Sequence, residues 1–369
     1  MKKILCLSVV LILLLITSCG GYPAVESTDE ENTVLFSITV ADSRYDVKYE
    51  LYRALFLNYK ADVDGGDDSV WSGEDSAEYI EKINEIILPM IANIYATINL
   101  AESIGIDFSS KKVKKQVDEL IEISIEGGSY NGRLVEGAGS YDEYLASLKA
   151  ANHNYSTQIL LYHYAIAQTE IAKYYIGTLS EDNITPDATE GHLEYTEEDI
   201  RAFYDSDDCV RILRAFAQII SGDLSEAKQR AESIREEMLD AAPHTNEVSA
   251  AIIGNTMMSY EEAYGGMLVG KHSLDENIYA DFTDTAFSLD IGEVSECLKI
   301  LTGDENGYHI LYRAEKTDDY FEDYYLDVVN AYVNNKIGEM IYTRTQALIS
   351  GIEYKDSYSE LSHKDISMN

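Results

Sequence analysis

Apolar residues recur every three or four positions through most of the first half of the chain, the spacing typical of helices with one buried face. The clearest run, between residues 76 and 104, places six isoleucines on one broad face: Ile80, Ile83, Ile87, Ile91, Ile94 and Ile98. Pro89 lacks a backbone N–H, so it is expected to kink or divide this helix. Further helices are predicted over residues 110–125 and 154–175. Another begins at Ser140, which fits a capping box with Glu143, and a short one begins after Thr196.

The pattern changes near residue 208, where short apolar runs replace the long helical ones. Strands are predicted at residues 209–221, 296–301 and 308–314, which are rich in branched and aromatic side chains. Helices are predicted over residues 225–239 and 279–288, followed by one long helix over residues 318–350. Helices around a compact module of strands place the chain in the α+β class.

The first residues have the pattern of an export signal. Lys2 and Lys3 precede a nearly uninterrupted apolar run over residues 4–16, which is short for a membrane span. The run ends in Ile-Thr-Ser-Cys at residues 16–19, which resembles the bacterial lipobox. Residues 1–18 are therefore predicted to be a lipoprotein signal peptide, with lipid attached to Cys19. Residues 19–33, which carry Gly, Pro, Ser and several acids, are predicted to form a flexible tether.

The charge balance is strongly acidic, with 28 Lys and Arg against 66 Asp and Glu and a formal net charge of −38. Binding of nucleic acid requires cations that neutralise phosphates, so nucleic acid is not expected as a partner. The same charge repels anionic lipid headgroups, so attachment to a membrane is expected through the lipid on Cys19. No Cys and His spacing suggests zinc, and neither a metal nor a cofactor is expected. Cys209 and Cys297 remain in the folded part, and whether they pair stays open.

Five short motifs follow one another in the second half of the chain. They are RAFAQII at residues 214–220, YGGML at 264–268, FTDTAFSL at 282–289, GEVS at 292–295 and GYHI at 307–310. In kind and order they resemble the first strand, glycine loop, helix, turn and closing strand of parvulin-type peptidyl-prolyl isomerases. Met267 replaces the family's Asp in the glycine loop, and Gln218 stands where its first histidine is expected.

The whole layout resembles membrane-anchored foldases of the PrsA/SurA type. That resemblance implies a helical, chaperone-like domain over residues 34–205 and an inserted parvulin domain over residues 206–316, with about four antiparallel strands surrounded by helices. Residues 317–369 would form a C-terminal helix and tail that pack back on the helical domain. The implied partners are unfolded or partly folded secreted chains at the extracytoplasmic face of the bacterial cell membrane.

The resemblance also implies a set of site residues. His309 matches the second of two facing histidines, Gln218 takes the place of the first, and a further polar position maps near Ser259. The implied proline pocket consists of Ile278, Phe282, Phe287, Met267 and Leu268. Gln cannot take up a proton, but it can donate and accept hydrogen bonds. Core packing of the two phenylalanines and a structural role of His309 remain alternatives.

Three functions therefore remain open from the sequence. The first is an active isomerase that assists the folding of secreted proteins. The second is a non-catalytic holdase chaperone that uses a degenerate parvulin fold. The third is a solute-binding lipoprotein, which predicts two α/β lobes around a cleft and is disfavoured by the long helices. A four-stranded sheet around His309 and Gln218 would exclude this third function.

Overall fold

The computed structural model describes residues 22, 25–130, 133–177, 192–219, 224–255, 265–272, 280–300 and 307–367. The predicted signal peptide and Cys19 lie outside these residues. The chain forms two compact units. The helical unit comprises the described residues up to Ile171 and from Arg344 onward, and the sheet unit comprises those from Ala172 to Thr343. The predicted domain boundaries after residues 33, 205 and 316 stay predictions.

The elements follow one another in three blocks along the chain. The first block contains β1 (Val34–Val40), β2 (Ser43–Lys48), α1 (Tyr49–Asp64), a 3-10 helix (Asp68–Ser72), α2 (Ser76–Ser103), α3 (Lys111–Glu126), β3 (Gly128–Tyr130), β4 (Arg133–Val135), α4 (Tyr141–Ala150) and α5 (Tyr155–Tyr175). The second contains α6 (Glu197–Asp205), β5 (Cys209–Gln218), α7 (Leu224–Ala241), α8 (Thr245–Asn255), β6 (Met267–Gly270), α9 (Ala280–Ser288), β7 (Leu298–Ile300), β8 (Gly307–Ala314), α10 (Asp318–Asp323) and α11 (Tyr325–Ser350). The third contains β9 (Glu353–Tyr354), α12 (Asp356–Ser359) and α13 (His363–Ser367).

The isoleucine face of α2 is buried in the helical unit, as predicted. Ile83, Ile87 and Ile91 are each at most 1% exposed. Pro89 lies inside α2 and does not divide it, because buried side chains on both sides of the proline hold the helix while one backbone hydrogen bond is lost. Among the described helices, α2 alone is long and apolar enough to cross a membrane, and 56% of its most apolar window is buried within the protein, a property common in core helices.

Side-chain caps fix the helix starts that the sequence predicts. The hydroxyl of Ser110 accepts a hydrogen bond from the Val113 N–H at the start of α3. Ser140 caps α4 in the same way. Thr196 and Asp199 form a reciprocal capping box at α6. These caps satisfy N–H groups that have no partner within the helix, and they confirm the predicted helix starts.

The last helices of the chain pack on the first one within the helical unit. β9 pairs with β1, which gives an antiparallel sheet in the order β2-β1-β9. His363 in α13 is 6% exposed, and its Nε2 lies 2.9 Å from the Tyr52 hydroxyl. Tyr52 also donates to Asn84 at 3.0 Å, and Asn84 donates to the Tyr358 hydroxyl at 2.8 Å. This network joins both ends of the described chain.

A four-stranded antiparallel sheet in the order β6-β5-β8-β7 organises the sheet unit. One face packs against α7 and α8 in a cluster that contains Leu213, Ala215, Ala217, Ala231, Ile234, Met238, Ile252, Ile310 and Tyr312. The other face packs against α9 in a cluster that contains Val210, Ile212, Val269, Phe282, Ala286, Leu289, Ile300 and Leu311. Both faces are covered, which explains why the central strands β5 and β8 read as nearly continuous apolar runs.

The α+β class is confirmed, since a mostly helical chain carries small antiparallel sheets. The prediction of one helix over residues 318–350 is wrong, because the chain leaves helical geometry at Tyr324 (φ −119°, ψ 32°) between α10 and α11. At the break, the Tyr324 ring stacks on Tyr320, with centroids 4.6 Å apart. Neither α8 nor the short strand β6 is among the predicted elements.

Candidate functional site

His309 lies in the middle of β8, on the face of the sheet that α9 covers. Successive strand residues point to opposite faces, so Tyr308 and Ile310 face α7 and α8 whereas His309 and Leu311 face α9. His309 is 0% exposed. Its imidazole therefore lies in a largely apolar layer that keeps bulk water away from the ring.

Two aromatic rings flank the imidazole. Phe216 lies directly opposite His309 on β5, with ring centroids 4.6 Å apart and an interplanar angle of 31°. Phe282 approaches from α9, with centroids 6.3 Å apart and an angle of 87°. Phe282 is 4% exposed. Phe287 is half-buried and packs against the cluster on the α9 face that contains Phe282. The structure thus brings together His309, Phe282 and Phe287 from two of the sequence motifs.

Polar contacts at its C-terminal end hold α9 over this face. Arg313 on β8 donates from Nη1 to the carbonyl of Leu289 at 2.5 Å and to that of Phe287 at 3.4 Å. The last carbonyls of a helix lack partners within the helix, so a cation at this end is stabilising. Arg313 and the sheet therefore fix the position of the helix that carries Phe282.

The GEVS motif forms the turn that leads from α9 back to the sheet. The Gly292 N–H donates to the Arg313 carbonyl at 2.8 Å, and the Arg313 N–H donates to the Glu293 carbonyl at 3.0 Å. Gly292 has φ +89°, a conformation that glycine adopts without strain. This segment therefore pairs with the edge of β8 and limits movement of α9.

The glycine motif places its two apolar residues on different faces of the sheet. Met267 pairs with Ile212 and lies on the α9 face, 39% exposed. Leu268 pairs with Arg211, and the alternation of side chains puts it on the opposite face. A β-carbon at Gly266 would lie 2.5 Å from the Ile212 carbonyl oxygen, so the backbone approach requires glycine. The register separates Leu268 from the pocket for which it was predicted.

Gln218 ends β5 and pairs with Gly307. It lies on the same face as His309 and two residues beyond Phe216, the partner of His309, and such diagonal neighbours are roughly 7–8 Å apart. Its side chain is exposed, so the α9 face continues to solvent at this end of the sheet. Ser259 and Ile278, also predicted for the site, lie outside the described residues.

Phe216 is the site residue that sequence reasoning missed. It stands two positions before Gln218 in the RAFAQII motif, so strand alternation alone would have placed both on one face. Its direct opposition to His309 depends on the register of β5 and β8, which no motif specifies.

The described part of the chain was compared with two further kinds of site, a disulfide and a metal centre. Cys209 and Cys297 are both free. Burial raises the pKa of the Cys209 thiol to about 11, although the nearby Lys316 ammonium lowers it, so this thiol is protonated at neutral pH. Among the described residues, no group of three or more His, Cys, Asp and Glu side chains is arranged to hold a metal ion.

Comparison with known proteins gives structural similarities only. No protein-family model matches the chain, and no curated protein matches its sequence. The crystal structure of PrsA from Bacillus subtilis is 15% identical with a TM-score of 0.24, and the match covers 78% of this chain and 93% of that one. Foldase protein PrsA from Streptococcus pneumoniae is 13% identical with a TM-score of 0.26, covering 88% and 99%. Peptidylprolyl isomerase (PrsA) from Bacillus cereus is 15% identical with a TM-score of 0.20, covering 78% and 92%. Similarity at this level assigns neither an activity nor a site residue.

Proposed function

We propose that the sheet unit is a parvulin-type peptidyl-prolyl isomerase domain and that the chain is a foldase for secreted proteins. The observation that carries this proposal is the edge-on packing of Phe282, on α9, against His309, on a central strand of the four-stranded antiparallel sheet. Phe282 and His309 are both buried, and beside them the half-buried Phe287 and the exposed Met267 extend the same apolar face toward solvent. An antiparallel sheet of this kind also argues against a solute-binding protein built from two α/β lobes.

The proposed reaction needs an environment more than a reactive group. An X-Pro bond rotates slowly because resonance gives it double-bond character, with a barrier of roughly 18–20 kcal/mol. The planar amide is more dipolar than the twisted one, so water stabilises it more strongly. A dry pocket removes part of this stabilisation and therefore lowers the free energy of the twisted transition state relative to the planar amide. In this proposal Phe282, Phe287 and Met267 hold the proline ring. Each reduction of the barrier by about 1.36 kcal/mol accelerates rotation tenfold.

His309 and Gln218 supply the hydrogen-bonding groups of the proposed pocket, with Ser259 and Ile278 completing it. The reaction requires neither a metal nor a cofactor. We propose unfolded or partly folded secreted chains as clients, attachment through lipid on Cys19, and a place at the extracytoplasmic face of the cell membrane. The net charge of −38 supports protein rather than nucleic acid as the partner.

A specific observation favours a second function, that of a non-catalytic holdase. The residue opposite His309 is Phe216, and the amide of Gln218 lies diagonal to it. Neither side chain can take up a proton at neutral pH, so the facing pair of histidines is absent from the described part of the site. A holdase would use the same aromatic surface to bind chains without accelerating rotation.

Exchange between the cis and trans forms of a proline-containing peptide, measured by NMR, tests the proposal. The full-length protein in detergent is compared with Phe282→Ala and with the milder Phe282→Leu. Phe321→Ala is the matched control, because Phe321 is also buried in the sheet unit (8% exposed) and packs against Tyr204 instead. A Phe→Ala change in a core costs roughly 3–5 kcal/mol, so folding is checked for each variant by circular dichroism.

The expected result is acceleration by the parent protein, at least a tenfold loss in both Phe282 variants and retention in Phe321→Ala. Acceleration that persists in folded Phe282→Leu would contradict the assigned pocket. No acceleration by the parent protein, together with suppressed aggregation of an unfolded client, would establish the holdase instead.

A further inference from the structure

A second candidate site lies in the sheet unit, between the edge strand β6 and the helix α11. A cavity of about 290 Å³ opens there, close to the lower end of the range for ligand pockets, which is roughly 300–1,000 Å³. Side chains of the helix and the edge of the strand line it, among them Asp327, Asn330, Asn334, Asn335, Met267 and Leu268. Of these six residues, Met267 alone is shared with the pocket proposed for proline.

The polar wall of the cavity follows from the helical period of α11. Asp327, Asn330 and Asn334 are three and seven positions apart along the helix, so they lie on one of its faces. Ala331 lies between them on this face, and its methyl group takes up little of the space. Asn335 borders the same cavity and is only 4% exposed. The helix therefore presents three carboxamides and one carboxylate to the edge of the sheet.

The strand contributes an unpaired peptide group. The Lys271 N–H donates to the Asp208 carbonyl at 2.8 Å, and the two residues are opposite each other in the register that pairs Gly270 with Cys209. Hydrogen-bonded and non-hydrogen-bonded pairs alternate in an antiparallel ladder, so the N–H and the carbonyl of Leu268 point away from β5. Among the described residues, no group bonds either of them. A donor and an acceptor therefore stand open at this edge of the sheet.

The helix touches the strand on both sides of this peptide group. A β-carbon at Gly265 would lie 2.7 Å from the Tyr324 ring, and one at Gly270 would lie 2.8 Å from the side-chain oxygen of Asn335. Glycine at these two positions lets α11 approach closely at each end, and the cavity separates helix and strand between them. Because both ends are closed, a long strand cannot pair along this edge, and the space suits a short stretch of chain.

Two side chains of the cavity have hydrogen-bonding groups that no described residue satisfies. The Oδ1 of Asn335 accepts from the His272 N–H at 2.8 Å. This bond fixes the orientation of the amide and leaves Nδ2 as a donor without an acceptor. The carboxylate of Asp327 accepts no hydrogen bond and forms no ion pair with a described residue, and partial burial raises the pKa of this carboxyl above its ordinary value. A buried donor without an acceptor is unfavourable, so the cavity favours a partner that supplies both an acceptor and a donor.

We propose that this cavity binds the main chain of a short stretch of extended polypeptide. One residue of the bound chain pairs with the N–H and the carbonyl of Leu268, as in strand addition. Its neighbouring peptide groups accept from Nδ2 of Asn335 and donate to the carboxylate of Asp327. Recognition of the main chain tolerates many sequences, which suits an unfolded polypeptide as the partner. The proposal shares this class of partner with the proposed function, but it requires neither a proline nor isomerisation.

Fluorescence anisotropy with the full-length protein in detergent tests the proposal. The probe is a labelled eight-residue peptide of alternating threonine and valine with blocked ends, which contains neither proline nor a charged residue. A second peptide has the same side chains, but esters replace its four central amides, which removes the N–H donors and keeps the carbonyls. We expect the first peptide to bind at least tenfold more tightly than the second. Equal affinity of the two peptides, or no binding of either, would overturn the proposal.

Variants then test whether the groups of the cavity are responsible. Asn335→Asp keeps an acceptor for the His272 N–H but loses the Nδ2 donor, and we expect it to bind the first peptide about tenfold more weakly. Asp327→Leu should weaken binding about threefold, whereas Asp327→Asn, which keeps an acceptor, should retain most of it. Asp323→Leu changes an exposed acid of the same unit outside the cavity and should change nothing. Unchanged affinity in folded Asn335→Asp would contradict the proposal. If Asn335→Asp does not fold, unchanged affinity in Asp327→Leu would do so.

Discussion

Each unit of this protein buries a histidine among aromatic rings, and the two surroundings differ. His363 in the helical unit is enclosed by Tyr52, Phe56 and Tyr358, whose rings lie 5.8–6.3 Å from it. His309 in the sheet unit shares its face with Gln218 and Met267, which reach solvent at the end and edge of the sheet.

The comparison shows that burial beside aromatic rings does not by itself mark a functional histidine. His363 belongs to a closed network that joins the first and last helices, and burial lowers its pKa to about 4. His309 is fully buried as well, but its face of the sheet continues to the exposed side chains of Gln218 and Met267. The predictions below separate the structural role of the first from the proposed functional role of the second.

The largest expected effect is a loss of stability of the helical unit in mild acid. The unfolded state takes up a proton on His363 near pH 6.5, whereas the folded state resists protonation down to about pH 4. The free energy of unfolding should therefore fall as the pH is lowered through this range, by about 3 kcal/mol, since each pKa unit corresponds to about 1.36 kcal/mol. Urea unfolding between pH 7.5 and 4.5 measures it.

The matched control is His363→Gln, which retains a polar side chain but does not titrate in this range. Its stability should change less with pH than that of the parent protein. Equal pH dependence of the two proteins would show that other groups cause the loss.

A smaller effect is expected from Tyr52→Phe. This change removes one hydroxyl that contacts both Asn84 and His363 and leaves both groups buried with fewer partners. Such a loss costs roughly 1–3 kcal/mol, and denaturant unfolding should report it for the helical unit. The isomerisation proposed for the sheet unit should be unaffected, and a parallel loss of stability and of this activity would contradict the separation of roles.

The smallest expected effect on stability comes from Arg313→Gln, which weakens the anchor of α9 at the Leu289 carbonyl. We expect a cost of about 1 kcal/mol, together with a several-fold slower isomerisation because Phe282 is held less firmly against His309. Lys111→Gln, which removes an exposed charge of the helical unit, is the comparison for charge alone. Unchanged isomerisation by Arg313→Gln would mean that the hydrogen bond from Arg313 to the Leu289 carbonyl is not needed to position α9.

The local pattern of the sequence was sufficient for the main elements. The isoleucine period gave α2, and Ser110, Ser140 and Thr196 marked helix starts, because periodicity and capping depend on residues a few positions apart. The runs that became β5 and β8 were equally clear. Short elements such as β6, α12 and α13 were not foreseen, since four or five residues carry too little pattern to be recognised.

For the candidate site, the motifs by themselves selected His309 and Phe282, and the composition by itself determined the acidic charge. Only the tertiary structure decided that Phe216 opposes His309 and that Leu268 lies on the other face, because a register shift of one residue reverses every side chain of a strand. Which groups meet across a hundred residues depends on packing, and no local pattern encodes it.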